Sequence, residues 1–151
     1  KFKGSYASLD NLGQGRVYFL KPETYMNLSG DSIGELCRFF KIPTEQVLIV
    51  HDELELLPGT ISLKKGGGLG GHNGLRSTKA SLGTADFWRL RFGIGRPNHE
   101  DIAGYVLSDF TQDEKIILQQ IFPQGAELLE KILSDNPDKL LPLWSKRNLL
   151  N

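Results

Sequence analysis

Ile33, Leu36, Cys37 and Phe40 recur at i, i+3, i+4 and i+7 in "SGDSIGELCRFFK", which lays one apolar stripe along a helix. The stripe makes Cys37 a core residue, cysteine being among the residue types most often buried. "RVYFL", residues 16–20, reads as a strand that ends at the Lys21-Pro22 step, because proline pushes the residue before it out of the helical region. "VLIV", residues 47–50, is apolar at every position, the pattern of a central strand covered on both faces. "TISLKK", residues 60–65, alternates as a strand at a sheet margin does. "FWRLRFGIG", residues 87–95, alternates cleanly, with Trp88, Leu90, Phe92 and Ile94 on one face and Phe87, Arg89, Arg91 and Gly93 on the other.

Punctuation between these runs predicts the remaining elements. Leu57-Pro58-Gly59-Thr60 is a turn. "GLRSTKASLG" is a short helix closed by Gly83, and "IAGYVL" suits either a short strand or the start of a helix. Thr111 is an N-cap succeeded by acidic first-turn residues, and Pro123 breaks or kinks the helix that they open. "GAELLEKIL" and "PDKLLPLWSKRNLL" finish the chain as amphipathic helices. No repeat, low-complexity tract or linker divides the sequence, which predicts one mixed α/β domain over residues 1–151.

Composition narrows the function without naming it. The 151 residues are 39% hydrophobic and 24% charged, a soluble globular balance. Eighteen basic and eighteen acidic residues cancel, so a nucleic-acid contact has to be local rather than a general coating of positive charge. Cys37 is the single cysteine and cannot close an intrachain disulfide, which fits a reducing compartment. No apolar run approaches the roughly 20 residues of a membrane span, and no signal peptide is visible.

Three clusters carry candidate chemistry. "HDE", residues 51–53, closes the "VLIV" strand, where open α/β sheets place their sites. It is either a solvated polar strand end or an acid that orients an imidazole. Neighbouring strand residues point to opposite faces, so the three do not ligate one metal ion. "KPETYMNLSG", residues 21–30, is a loop leading to a helix cap, Ser29 or Asn27, or else the rim of a ligand site formed by Tyr25, Met26 and Asn27. If the preceding strand runs parallel and adjacent to "VLIV", that corner shares a sheet edge with Asp52. "GGGLGGHNGLRS", residues 66–77, has glycine at five of its first six positions and then His72 and Asn73. It fits neither GxxxxGK[ST] nor GxGxxG. Asn73 offers an amide donor and a carbonyl acceptor without charge.

"KPETYMNLSG", "HDELELLPG", "KKGGGLGGHNGLRS" and "RLRFGIGRP", in this order and spacing, together resemble the bacterial peptidyl-tRNA hydrolase family. The resemblance runs from about Val17 to at least Pro97, with a looser match through the tail. It implies a twisted mixed sheet flanked by helices, and cleavage of the ester joining a peptide to the 3′-terminal ribose of tRNA. It also implies a cytoplasmic monomer that uses neither metal nor cofactor. Residue by residue, Asn27 and Asn73 match the asparagines that hold substrate and attacking water, and Asp52 matches the acid that orients the catalytic imidazole. Tyr25 and Met26 match the pocket wall around the tRNA end, His72 lies on the rim, and Lys64 and Arg91 match basic positions associated with tRNA phosphate.

The sequence departs from the family pattern at one place. A "GLGNPG"-like turn and a "TRHN"-like segment, which carries the catalytic histidine, have no counterpart here, and His51, His72 and His99 do not match that histidine. "KFKGSYAS" resembles the stretch just before the first matching strand, so the expectation is an N-terminally truncated chain with negligible hydrolase activity of its own and some tendency to aggregate. Two rival readings stand beside this one: a tRNA-binding module without catalysis, and an α/β domain that binds a nucleotide or another small molecule.

Overall fold

The structure, a computed structural model, describes residues 1–10, 15–98 and 101–150; His99 lies outside them. The described residues form two compact units, one of residues 1–49 with 65–88 and the other of residues 50–64 with 89–151. Each is built from two stretches of chain.

In the first unit, β1 (Gly4–Leu9) and β2 (Val17–Pro22) pair antiparallel, Gly4 opposite Pro22 and Leu9 opposite Val17. They form a two-stranded sheet of their own. The expected strand is therefore present, but it continues through Lys21 and Pro22 instead of ending before them, and its neighbour is a local hairpin partner and not the strand that carries Asp52. A 3-10 turn (Met26–Leu28) leads into α1 (Ser29–Phe40), and α2 (Asn73–Leu82) comes after the glycine-rich loop. The two helices cross with almost no side chain between them: a Cβ on Gly30 would stand 2.0 Å from the Ser77 carbonyl oxygen, and one on Gly34 2.0 Å from Ser81 Oγ. Small residues one turn apart on both helices thus permit a backbone-to-backbone approach that any larger residue would prevent. Behind this seam Cys37, Val47, Leu75 and Phe87 form a buried core with Ile33, Ile42, Ile49, Leu69, Leu82 and Ala85 packed on it. Cys37 is a core residue, as its position on the helical stripe predicts.

The four-stranded sheet has the order β3 (Leu48–Glu53), β5 (Trp88–Gly93), β4 (Thr60–Lys65), β6 (Arg147–Asn148), and most of its length belongs to the second unit. Trp88 N–H donates to Val47 O (2.8 Å) and Ile94 N–H to Glu53 O (3.0 Å), the same sequence offset at both ends, so β3 and β5 run parallel. β4 and β6 run antiparallel, Thr60 opposite Asn148, which makes the sheet mixed. Two expectations reverse here. β3 is an edge strand of this sheet and Val50 is 54% exposed, whereas β4 is interior and buried from Thr60 to Leu63. An apolar run records what a strand can tolerate on its faces; it does not record which strand pairs beside it. The polar residues of β4 are buried because they are bonded: Arg91 donates to Ser62 Oγ (2.7 Å), Ser62 donates to Ser145 O, and Asn148 Nδ2 donates to Thr60 Oγ1 (3.3 Å).

The turn before β4 forms as expected, with Thr60 N–H bonded to Leu57 O (3.1 Å) and Gly59 at φ 89°. "IAGYVL" resolves as a helix, α3 (Ile102–Leu107), because Asp101 caps it by accepting from Gly104 N–H (3.0 Å). α4 (Gln112–Ser134) opens with a reciprocal Thr111–Glu114 capping box and runs without a break through Pro123, absorbing the segment expected as a separate helix. Pro123 is exposed, and the carbonyl it leaves without a helical donor belongs to exposed Gln119, so water can serve in its place. Gly125 brings α4 close to the sheet, where a Cβ would lie 3.1 Å from Phe92 Cζ. Leu56, Ile61, Leu63, Leu90, Ile121, Leu128, Ile132 and Trp144 form this unit's core. The expected terminal helix is only partly present: a 3-10 turn (Pro137–Leu140) and α5 (Leu141–Trp144) give way to β6, and Leu149 N–H bonds Gly59 O (2.9 Å).

Candidate active site

The glycine loop explains its own composition. Gly66, Gly67 and Gly70 sit at φ 65°, 89° and 59°, a region that glycine enters without steric cost. The loop ends at His72, which occupies the N-cap of α2 and accepts from Leu75 N–H through Nδ1 (3.2 Å). An Nδ1 that accepts carries no proton, so neutral His72 holds its hydrogen on Nε2. Asn73 is then the first helical residue, exposed, with its side chain leaving an anchored turn.

The second motif of this unit reaches the same corner. A Cβ on Gly74 would fall 2.7 Å from Met26 Sδ and 3.0 Å from His72 Cε1, so the 3-10 turn and the start of α2 touch over a residue with no side chain. Tyr25 is 83% exposed, Met26 54%, and Asn27 is exposed beside them. Neither Ser29 nor Asn27 caps α1. Leu28 stands at the N-cap, Ser29 turns back to donate to Met26 O (2.8 Å), and Gly30 N–H is satisfied by Ser77 Oγ of α2 (2.8 Å). A cap supplied by another helix leaves no local sequence signature, so nothing in the chain around Ser77 marks its role.

In the second unit, His51, Asp52 and Glu53 are the last three residues of β3. Asp52 is half-buried and shares a small cleft with Ile94, Tyr105, Ser108, Asp109 and Glu114. Tyr105 donates to Ile94 O, and burial, then the charge of Glu114, push its phenol above the usual range. His51 is buried; Arg89 Nε donates to its Nε2 (3.1 Å), and its Nδ1 bonds the Asp52 backbone carbonyl (2.7 Å). Arg89, placed by alternation on a polar face, is 1% exposed. Its guanidinium lies 3.6 Å from Glu53, which Arg91 also approaches at 3.4 Å. Burial, then the like charge of Arg91, lower the Arg89 pKa, while Glu53 opposes the shift. Arg91 gives its remaining reach to Ser62, and its side chain is only 16% exposed. Lys64 is half-buried near the end of β4, beside exposed Lys65.

The family model described as peptidyl-tRNA hydrolase matches residues 1–149. A peptidyl-tRNA hydrolase of Treponema pallidum is 49% identical, covering 99% of this chain and 77% of that protein. One of Geobacter sulfurreducens is 46% identical over 89% of this chain and 70% of its own length. The crystal structure of peptidyl-tRNA hydrolase from Acinetobacter baumannii superposes with a TM-score of 0.82 at 36% identity, covering 95% of this chain and 71% of that one. A mixed α/β fold with helices flanking the sheet is thus shared with solved hydrolases. The chain belongs to the peptidyl-tRNA hydrolase family. No helix among the described residues is long and apolar enough to cross a membrane.

Proposed function

We propose that this chain acts on peptidyl-tRNA, serving hydrolysis of the ester between the peptide and the terminal ribose. The observation that carries this reading is the meeting of two distant motifs at one corner: Met26 lies against Gly74, next to Asn73, which sets Asn27 and Asn73 on adjoining turns. Neutral amides that both donate and accept suit the holding of a water and an ester, and a donor aimed at a developing oxyanion contributes about 3 kcal/mol. Exposed Tyr25 and Met26 give the tRNA end an apolar wall, with His72 at its rim. Asp52 is the acid that orients an imidazole base. Of the two basic residues assigned to phosphate, Lys64 is the better suited, because Glu53 and Ser62 already hold the Arg91 guanidinium. The reading includes a cytoplasmic monomer.

One observation favours a second, narrower reading. His51 bonds Arg89 and the Asp52 carbonyl through its two ring nitrogens, and His72 accepts Leu75 N–H at Nδ1, so among the described residues each histidine already engages the lone pair of its neutral ring. On this reading the 151-residue chain binds tRNA and turns peptidyl-tRNA over slowly. Release of free tRNA from peptidyl-tRNA, with and without added imidazole as an external base, tests both. Slow release that imidazole accelerates supports the pair of readings. Rapid release without imidazole removes the second, and no release alongside no tRNA binding removes both. Lys64→Ala should weaken tRNA binding and reduce its salt slope by about one phosphate contact.

A further inference from the structure

β3 divides its last three residues between two faces. His51 and Glu53, two apart, share one face, and Asp52 between them takes the other. On the shared face Arg89 meets both, its Nε bonding His51 Nε2 at 3.1 Å and its guanidinium approaching Glu53 at 3.6 Å. Arginine has only donors, so the ring nitrogen it meets must present a lone pair. The proton of neutral His51 is thereby confined to Nδ1, and Nδ1 donates to the Asp52 carbonyl at 2.7 Å.

We infer that Arg89 and His51 are positioning residues for Asp52: Arg89, held by Glu53, selects the His51 tautomer, and that tautomer clamps the Asp52 peptide so that the carboxylate leaves β3 in one direction, toward its cleft. This rests on Asp52 being the acid of the hydrolytic site. It also explains why a strand at the edge of its sheet keeps a buried histidine, with a buried arginine facing it from β5. A carboxylate that must hold an imidazole within a few tenths of an ångström needs a strand end that does not fray, and edge pairing alone secures only one side of it.

Two substitutions separate the two bonds of His51. In His51→Asn the amide nitrogen stands near the place of Nδ1 and can still donate to the Asp52 carbonyl. In His51→Gln the amide oxygen stands near the place of Nε2, so Arg89 keeps its acceptor and the clamp is lost. The readouts are the ring-nitrogen NMR pattern of His51, the carbonyl-carbon shift of Asp52, and the three-bond couplings that report its χ1 rotamer. The wild-type chain should show the Nδ1–H tautomer and a single Asp52 rotamer. His51→Gln should move the carbonyl signal upfield and average the couplings, and His51→Asn should preserve both. An Nε2–H or doubly protonated His51 in the wild type overturns the inference, with no variant required to fold. So does an unchanged Asp52 in His51→Gln. None of these signals depends on turnover. A clamped Asp52 whose replacement by Ala leaves imidazole-supported tRNA release unchanged would keep the clamp and remove the acid's role.

Discussion

His72 and His51 are held in opposite tautomers by opposite means, and the two compact units differ in the same way. In the first unit His72 accepts from a backbone N–H at a helix start, and everything around it is achieved by removing side chains: glycines at positive φ in the loop, Gly74 under Met26, Gly30 and Gly34 against Ser77 and Ser81. In the second unit His51 is fixed by a buried arginine that shares a carboxylate with another arginine. Close backbone approach positions neutral amides on a surface. A buried charge network positions an acid at a strand end. The first device costs little in desolvation but fails where a Cβ is added at a point of close approach, as at Gly30 or Gly34. The second tolerates changes of shape but fails when one charge loses its partner.

The largest effect should come from breaking the charge network. Glu53→Ala leaves two guanidiniums without their shared carboxylate, one of them on a side chain 2% exposed, and should cost about 3–5 kcal/mol in urea unfolding. A loss below about 1 kcal/mol would mean that water or another group already neutralises Arg89. In the first unit, Gly30→Ala forces a methyl to within 2.0 Å of a backbone oxygen and should cost about 1–3 kcal/mol, while Gly68→Ala, with nothing within 4 Å of the new Cβ, should be nearly silent. Equal effects of the two would show that the helices can move apart, and the contrast between the units would shrink. His72→Ala removes the cap of α2 and should cost about 1 kcal/mol. It should also raise amide exchange at Leu75, the residue whose N–H loses its acceptor. The smallest effect concerns Cys37. Burial pushes its thiol upward, so the folded state holds the proton more tightly than the unfolded chain does. Its contribution to stability is complete below the ordinary thiol range, about pH 8.5, and is lost as pH rises beyond it. Alkylation of Cys37 near pH 8 should track unfolding; rapid modification of the folded chain would place it outside the core.

Sequence pattern reaches some of these features and not others, for physical reasons. Helix α1, its apolar stripe and the burial of Cys37 come from periodicity, which is local. The Thr111 cap and the Pro58-Gly59 turn come from residues with one dominant local use. Strand position does not: "VLIV" reads as a central strand and stands at the edge, and "TISLKK" reads as marginal and stands inside, because pairing partners come from far along the chain. Arg89 lies on the face that alternation marks as polar, and only the presence of Glu53 and His51 beside it makes that face a buried one. Of the candidate site, the glycine-rich motif places Asn73 at a helix start, as found, whereas Met26 and Asn27 lie in a 3-10 turn and Asn27 does not cap α1. The contact of Met26 with Gly74 joins positions far apart in the chain and has no local signal.

On the proposed function, Asn73, presented at the start of α2, serves ester hydrolysis of peptidyl-tRNA. The direct measurement is the rate of free tRNA release from peptidyl-tRNA by the wild-type chain and by Asn73→Ala, each with added imidazole and with tRNA binding measured in parallel. Loss of an amide that acts on the reacting ester should slow release by about 10²–10³-fold while the fold is unchanged and tRNA binding stays within roughly twofold. Equal release by the two proteins, with equal binding, would contradict the account.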